Sequence, residues 1–289
     1  MNRFAKLLEK LLFTPSRNAK IIAMAEYFEN TPDPDRGFAL GAITRDLSLN
    51  NLKPTQLRTL TKSRVDPELF DMSYDYVGDM AETISLIWPK HPSDALEKQE
   101  LPQLGEVIST LQTKSKIELQ TYVTELLDSA SVTERWAIIK MVTGGLRVGV
   151  SARLAKTSLA EYSGKDLIEI EKIWHGIAVP YTELFWWLDG LADRPCIAPD
   201  QIFHPLMLSN PIDAQHDFDC LNPMDYEAEW KWDGIRVQLL IDNDDSQNTS
   251  RAPTRMFSRS GDDISCAFPD VASSLSGQAV FCLLYTSPS

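Results

Sequence analysis

"EAEWKWDGIRVQLLI", residues 227–241, is where the chain stops reading as helix. An Asp-Gly pair separates two runs of alternating residues, and such a pair signals chain reversal because glycine tolerates positive φ. With a side-chain period of two, Glu227, Glu229 and Lys231 share one face of the first run, and Ala228, Trp230 and Trp232 the other. Beyond the pair, Arg236 and Gln238 oppose Ile235, Val237, Leu239 and Ile241. The expected element is a hairpin with one apolar side and one side gathering a carboxylate, an amine and a guanidinium. Two readings of that polar side stay open. Its charges are solvated surface pairs worth little each, or they form a nucleotide pocket with Lys231 as nucleophile. The second needs burial or nearby cations to keep the amine neutral.

Outward toward the N-terminus the pattern is helical. Phe4, Leu7, Leu8, Leu11 and Leu12 fall on one helical face, and after "TPSRN" Ser16 can cap a second helix carrying Ile21, Ile22, Met24, Tyr27 and Phe28. Further helices are expected in "PTQLRTLTKSR", "YVGDMAETISLIW", "LGEVISTLQ", "KIELQTYVTELLDSA", "TERWAIIKMVTG", "ARLAKTSLAEYS" and "GKDLIEIEKIWHG". Trp186 and Trp187 are expected to pack core, and no histidine sits beside a nucleophile. The proline-rich segment from Leu191 to Ala214 has no helical period and marks a domain boundary near 200.

The 289 residues suffice for two domains, and 43% hydrophobic with 24% charged residues excludes wholesale disorder. A net charge of −13 weighs against a nucleic-acid partner only on the whole, because the local field at a binding face decides. Four cysteines without CxxC spacing read as free thiols in a reducing compartment, with no zinc site. Lys6, Glu9 and Lys10 interrupt the N-terminal apolar stripe and no run of about 18 apolar residues appears, so a cytoplasmic protein without membrane association is expected.

Downstream, "MFSRSGDDISCAFPD" reads as a short strand ending at Arg259, a turn at Ser260 and Gly261, and Asp262 and Asp263 as caps for the next element. Taken together, "KWDGIR" and "SRSGDD" resemble the ordered motif pair of the ATP-dependent DNA ligases, members of the covalent nucleotidyltransferase superfamily. "FHPLMLSNP" at 203–211 is similar to the stretch that enters the ligase nucleotide domain. "YVGDMAETISLIWP" and "GGLRVGVS" are similar to two segments of ligase DNA-binding domains. The pattern is most similar to bacterial ligases with an N-terminal DNA-binding domain and covers residues 1 to about 281.

The resemblance implies a multidomain α and α+β fold. An all-helical N-terminal DNA-binding domain would span 1–200, an incomplete nucleotidyltransferase (ATP-grasp-like adenylation) domain 201–281, and a non-native tail 282–289. It implies a monomeric enzyme that seals nicks in double-stranded DNA, in repair, replication or recombination, with ATP and magnesium (Mg2+). Lys231 would carry AMP, Glu229 would read adenine, and Arg236 and Arg259 would lie near ribose and phosphate. Asp233 and Gly234 would shape the turn. Arg147, Gly149, Ser151 and Arg153, with Lys156, would meet the DNA backbone, Ser151 opening a helix whose N-terminus binds phosphate. An ordinary interhelical turn with solvated basic residues is the other reading of that segment. No metal ligand is implied within these residues.

After "GQAVF" the chain leaves the family's pattern. "CLLYTSPS" can be back-translated as TGT CTC TTA TAC ACA TCT CCG AGC, which resembles a transposon adapter from DNA library preparation. Cys282–Ser289 are therefore expected to be read-through, which resequencing of the source gene checks. The strand is expected to break there, and residues 1–289 alone are expected not to seal nicks. The competing readings are an RNA ligase or RNA capping guanylyltransferase, which share Lys-x-Asp-Gly but are disfavoured by the long helical domain upstream. A non-catalytic DNA-binding module is a further alternative. An NAD-dependent ligase lacks support because no segment for reading nicotinamide mononucleotide is visible.

Overall fold

The computed structural model describes residues 1–49, 52–89, 101–197, 203–204, 212, 221–227, 230–243, 254–259, 261, 263–275 and 277–285. They belong to two compact units: Met1–Leu167 with Ala178–Arg194, and Ile168–Ile177 with Pro195–Ser289. The whole is mostly helical with one small sheet, and among the described residues no strand precedes Ile235.

In chain order the helices begin with α1 (Asn2–Phe13), α2 (Arg17–Asn30), α3 (Asp35–Thr44) and α4 (Pro54–Lys62). Next come α5 (Pro67–Val77), α6 (Met80–Ile87), α7 (Leu104–Thr113) and α8 (Lys116–Ser129). The last four of this run are α9 (Val132–Val142), α10 (Ala152–Ser163), α11 (Leu167–Ile173) and α12 (Thr182–Leu188). The centre of the first unit is α9, buried continuously from Glu134 to Ile139 and again at Met141 and Val142. A helix apolar on nearly every side has to be enclosed, and α1, α6 and α8 pack on it. Helix α10 packs against α2 and α3. The expected α1 stripe is buried at Phe4, Leu7, Leu8 and Leu11, while Leu12 at its margin is exposed. In α2, Met24, Tyr27 and Phe28 go inside and Ile22 stays outside.

A buried ion network ties this unit across its sequence. Arg36 of α3 donates from Nε to Asp33 Oδ1 at 2.8 Å and from Nη2 to Asp189 Oδ2 at 2.6 Å, and its guanidinium lies 4.3 Å from the Phe185 ring centre. Tyr162 hydroxyl also donates to Asp189. Three of the helices were not expected. In α3 every residue from Arg36 to Ile43 is buried, so its sequence has no polar face to mark a period. The other two are α5 and α12. The single helix expected over "YVGDMAETISLIW" is two: Gly78 (φ 75°) ends α5 in the left-handed region and Asp79 caps α6 by accepting from Glu82 N–H at 2.9 Å. Only half of the tryptophan expectation holds, since Trp187 is buried and Trp186 is exposed.

In the second unit β1 (Ile235–Asn243) is central, flanked antiparallel by β2 (Arg255–Ser258) and β3 (Gly277–Tyr285) in the order β2-β1-β3. Val237, Leu239, Ile241 and Met256 form one core under Phe268 and Val271, the latter on α13 (Pro269–Ser274). Leu240 and Phe257 form another with Phe203 on the opposite face. The sheet is thus buried on both faces at its centre. Gln238, expected on an open polar side, is 1% exposed and brackets the His204 backbone. Its Oε1 accepts from His204 N–H at 2.8 Å and its Nε2 donates to His204 C=O at 2.9 Å.

The expected hairpin does not form among the described residues. Trp230–Asp233 carry no strand, and the partners of β1 are β2 and β3, the latter in register from Ile235↔Tyr285 to Asn243↔Gly277. Trp230 and Trp232, expected on the core side, are exposed at 86% and 71%. Nor does the strand begun at "GQAVF" break after Phe281: Cys282, Leu283 and Leu284 pair with Gln238, Val237 and Arg236.

Candidate nucleic-acid interface and nucleotide-binding segment

The first unit contains an open cleft of about 620 Å³ where the starts of α2 and α10 meet the end of α3. Four of its lining side chains are cationic (Arg17, Lys20, Arg45 and Arg153), and none is acidic. Each helix start is closed by serine. Ser16 Oγ accepts from Ala19 N–H at 3.3 Å and Ser151 Oγ from Leu154 N–H at 3.2 Å.

The first turns of these two helices run against the helix dipole, which favours negative charge at an N-terminus. Neither α2 nor α10 has an acidic residue in its first turn, and they carry Arg17 and Arg153 there instead. Helices α6 to α9 obey the usual preference with Glu82, Glu106, Glu118 and Glu134. Cations placed where the backbone is already positive repel one another unless an anion joins them.

Its walls are fixed by specific bonds. "GGLRVGVS" alternates inward and outward, with Leu146 and Val148 buried and Arg147, Gly149 and Ser151 exposed. Lys20, 8% exposed, donates to Val148 C=O at 2.8 Å and Gly149 C=O at 3.1 Å. Gly149 has φ 66°, where a side chain is strained, and a Cβ there would stand 2.7 Å from Lys20 Nζ and push the ammonium aside. Across the cleft Arg45 ends α3 in the left-handed region (φ 68°), a conformation costing a non-glycine residue about 1 kcal/mol. The turn is held because Asp46 accepts from Thr44 Oγ1 at 2.7 Å and from Tyr181 hydroxyl at 2.6 Å.

Of the expected DNA-facing residues, Gly149, Ser151 and Arg153 line the cleft, and Arg147 is exposed on the same loop outside its lining. Lys156 corrects the sequence reading: at 2% exposed it lies on the inner face of α10 and cannot meet a solvent-borne phosphate. Arg17, Lys20 and Arg45 also line the cleft and were not among the expected residues. Arg17 and Lys20 had a signal, basic residues just after a serine cap. Arg45 had none, since its place depends on a turn fixed by Tyr181, more than a hundred residues away.

In the second unit the described candidates stand on the surface. Trp232 N–H donates to Trp230 C=O at 3.1 Å, closing a three-residue turn with exposed Lys231 at its apex. Asp233 and Gly234 lead exposed into β1. The register Val237↔Ser258 sets Arg236 and Arg259 one step beyond the last paired residues of β1 and β2, at the same end of both strands, and both are exposed. The "SRSGDD" turn is tight: Gly261 has φ 87°, and a Cβ there would lie 2.8 Å from His175 Nε2. Asp263 Oδ1 accepts from Ser265 N–H at 2.9 Å across the start of the turn that follows, but the expected cap is not formed: Ile264 stands at the N-cap of the short 3-10 turn Ser265–Ala267, without a side-chain cap. Glu229, Ser260, Asp262 and residues 205–211 lie outside the described residues. Among the described residues no group of three or more His, Cys, Asp or Glu could hold a metal ion.

A family described as "DNA ligase N terminus" matches residues 1–160, which contain the whole cleft. The chain belongs to the DNA ligase family. It is similar to a "Probable DNA ligase" of Koribacter versatilis, 24% identical over 95% of this chain and 47% of that protein. It is also similar to a "DNA ligase" of Nitrosopumilus maritimus, 25% identical over 74% of this chain and 37% of that protein. The chain therefore spans less than half the length of these ligases. Among the described residues no helix is long and apolar enough to cross a membrane.

Proposed function

We propose that the protein is the DNA-holding and nucleotide-accepting part of an ATP-dependent DNA ligase that seals nicks in duplex DNA. The observation that carries this reading is the acid-free cleft of Gly149, Ser151 and Arg153 with Arg17 and Arg45, lying inside the stretch that matches the ligase family. Two helix N-termini and several guanidinium groups suit a sugar-phosphate backbone, and they engage it without reading bases. A joining enzyme must accept any sequence. The cleft also resolves the acidic total, since the charge that matters is local.

The chemistry falls to Lys231. Its Nζ attacks the α-phosphorus of ATP, forming an N–P bond as the bond to pyrophosphate breaks. The AMP passes to the 5′-phosphate of the nick, freeing the amine, and the 3′-hydroxyl then attacks that phosphate and releases AMP. Arg236 and Arg259, at one end of β1 and β2, are assigned to the ribose and phosphates, and Glu229 to adenine. Magnesium is assigned to the ATP phosphates, with no ligand among the described residues.

The test uses the longest polypeptide the gene encodes, wild type and Lys231→Ala, incubated with magnesium and ATP labelled at the α-phosphorus. Wild type is expected to retain acid-labile label on a denaturing gel and Lys231→Ala to retain none. Label on both, or on neither, would sink the assignment of Lys231.

A further inference from the structure

We infer that Lys20 is a positioning residue for DNA, holding the Val148–Gly149 turn so that its peptide N–H groups face the cleft. The inference rests on the reading of the cleft as a phosphate site. In a trans peptide the C=O and the following N–H point in opposite directions. Lys20 Nζ takes the carbonyls of Val148 and Gly149. The N–H groups of Gly149 and Val150 therefore point away from the lysine, and among the described residues neither donates to a protein acceptor. Gly149, Val150 and Ser151 all line the cleft.

The lysine is unusual in its own position. It is a buried cation one turn into a helix that begins with Arg17, a placement the helix dipole opposes. Two carbonyl oxygens satisfy two of its three donors from the inside. Lys20 thus acts by fixing the loop geometry before DNA arrives.

Salt dependence separates positioning from direct contact. Each phosphate contact by a cation adds about 0.9 to the slope of log affinity against log salt. Binding of a fluorescent nicked duplex to the 289-residue chain is measured by anisotropy across salt concentrations, well below the unfolding temperature of each variant. Lys20→Met is expected to weaken binding about tenfold, the scale of one or two lost hydrogen bonds to a charged acceptor, and to leave the slope unchanged. Lys20→Gln, which keeps N–H donors without the charge, recovers part of the loss.

Gly149→Ala, which removes no charge, is expected to weaken binding as Lys20→Met does, because its Cβ would displace the Lys20 ammonium. The double variant should bind no more weakly than the worse single, since both break the same clamp. If Lys20→Met does not fold, the Gly149→Ala result decides. Wild-type affinity in the folded Lys20 variants or in Gly149→Ala overturns the inference, as does a slope reduced by about 0.9 in Lys20→Met, which would make Lys20 a direct contact. Failure of the wild-type chain to bind nicked duplex overturns the cleft reading and the inference together. Binding by wild type with no response to Lys20 overturns the inference alone.

Discussion

The cleft of the helical unit and the Lys231 segment of the strand unit are both cationic, but they are held in different ways. The groups proposed to meet DNA in the cleft are cationic side chains together with backbone: two serine-capped helix starts and a loop whose carbonyls are bound by Lys20. Its lining comes from the first unit alone: α2, the end of α3, α10 and the loop before it, with the Arg45 turn held by Tyr181. Lys231, the proposed nucleophile, stands on a three-residue turn, exposed between two exposed tryptophans. Affinity for a charged polymer can come from geometry fixed within one unit. A lysine nucleophile needs a more enclosed setting, because attack on phosphorus takes the neutral amine.

The comparison breaks most readily at Arg36. Removing one partner from a buried ion network strands the others, and with Asp33 and Asp189 about one-fifth exposed the cost sits near the lower end of the usual range, about 3 kcal/mol. Arg36→Met is expected to lower the amide-exchange protection of α9 and α10 by that amount and leave β1 unchanged. Equal loss in β1 would mean that the two units unfold as one body, and their separate treatment would fail. A smaller effect sharpens the contrast at the cleft itself. Arg17→Gln with Arg45→Gln is expected to reduce the salt slope of nicked-duplex binding by about 1.8, roughly 0.9 for each guanidinium. Lys231 labelling by ATP should stay within about twofold, since chemistry and holding are assigned to different residues. An unchanged slope would remove Arg17 and Arg45 from the interface.

Much of the helical unit was legible because its helices carry caps and one-sided apolar faces. Ser16, Ser151 and the Glu-bearing first turns of α7 to α9 mark their own boundaries. Helix α3 was not legible, because complete burial leaves no polar face to show a period. The strand unit misled for the opposite reason. Alternation in "EAEWKWDGIRVQLLI" is local and strong, yet strand pairing is decided by the partner, and β2 and β3 flank β1 instead. Gln238 shows the same limit: its polarity suggested an open face, whereas its amide is spent on the His204 backbone in the interior. Among the candidate residues, the resemblance at "GGLRVGVS" pointed to Gly149, Ser151 and Arg153, which the structure brings together on a loop, a helix cap and the first turn of α10. The resemblance could not find Arg45, whose αL turn is held by a bond to Tyr181 from the far end of the unit.

The smallest expected effect is the response of the helical unit to pH, and its sign is set by two aspartates. Burial pushes the Asp189 carboxyl up, but hydrogen bonds from Arg36 and Tyr162 outweigh it and leave the group below the ordinary range. Asp79 behaves alike: burial raises it, and the Lys140 ammonium at 2.5 Å with the Glu82 N–H brings it lower. As pH falls past the unfolded aspartate value of about 3.9, the unfolded chain takes up protons that the folded one still refuses. The stabilisation is therefore complete above that value and drains away as pH falls through the lower folded-state values. At the alkaline end the sign reverses. Burial pushes the phenols of Tyr27 and Tyr181 up, so the unfolded chain loses protons first and stability declines above about pH 10. Urea midpoints for the helical unit, tracked by amide exchange with β1 as internal reference, should fall below about pH 4. Asp189→Asn should lower the plateau and flatten the acid limb. An acid limb of equal slope in that variant would show that Asp189 does not couple folding to protons, and the Arg36 network would then stabilise by packing alone.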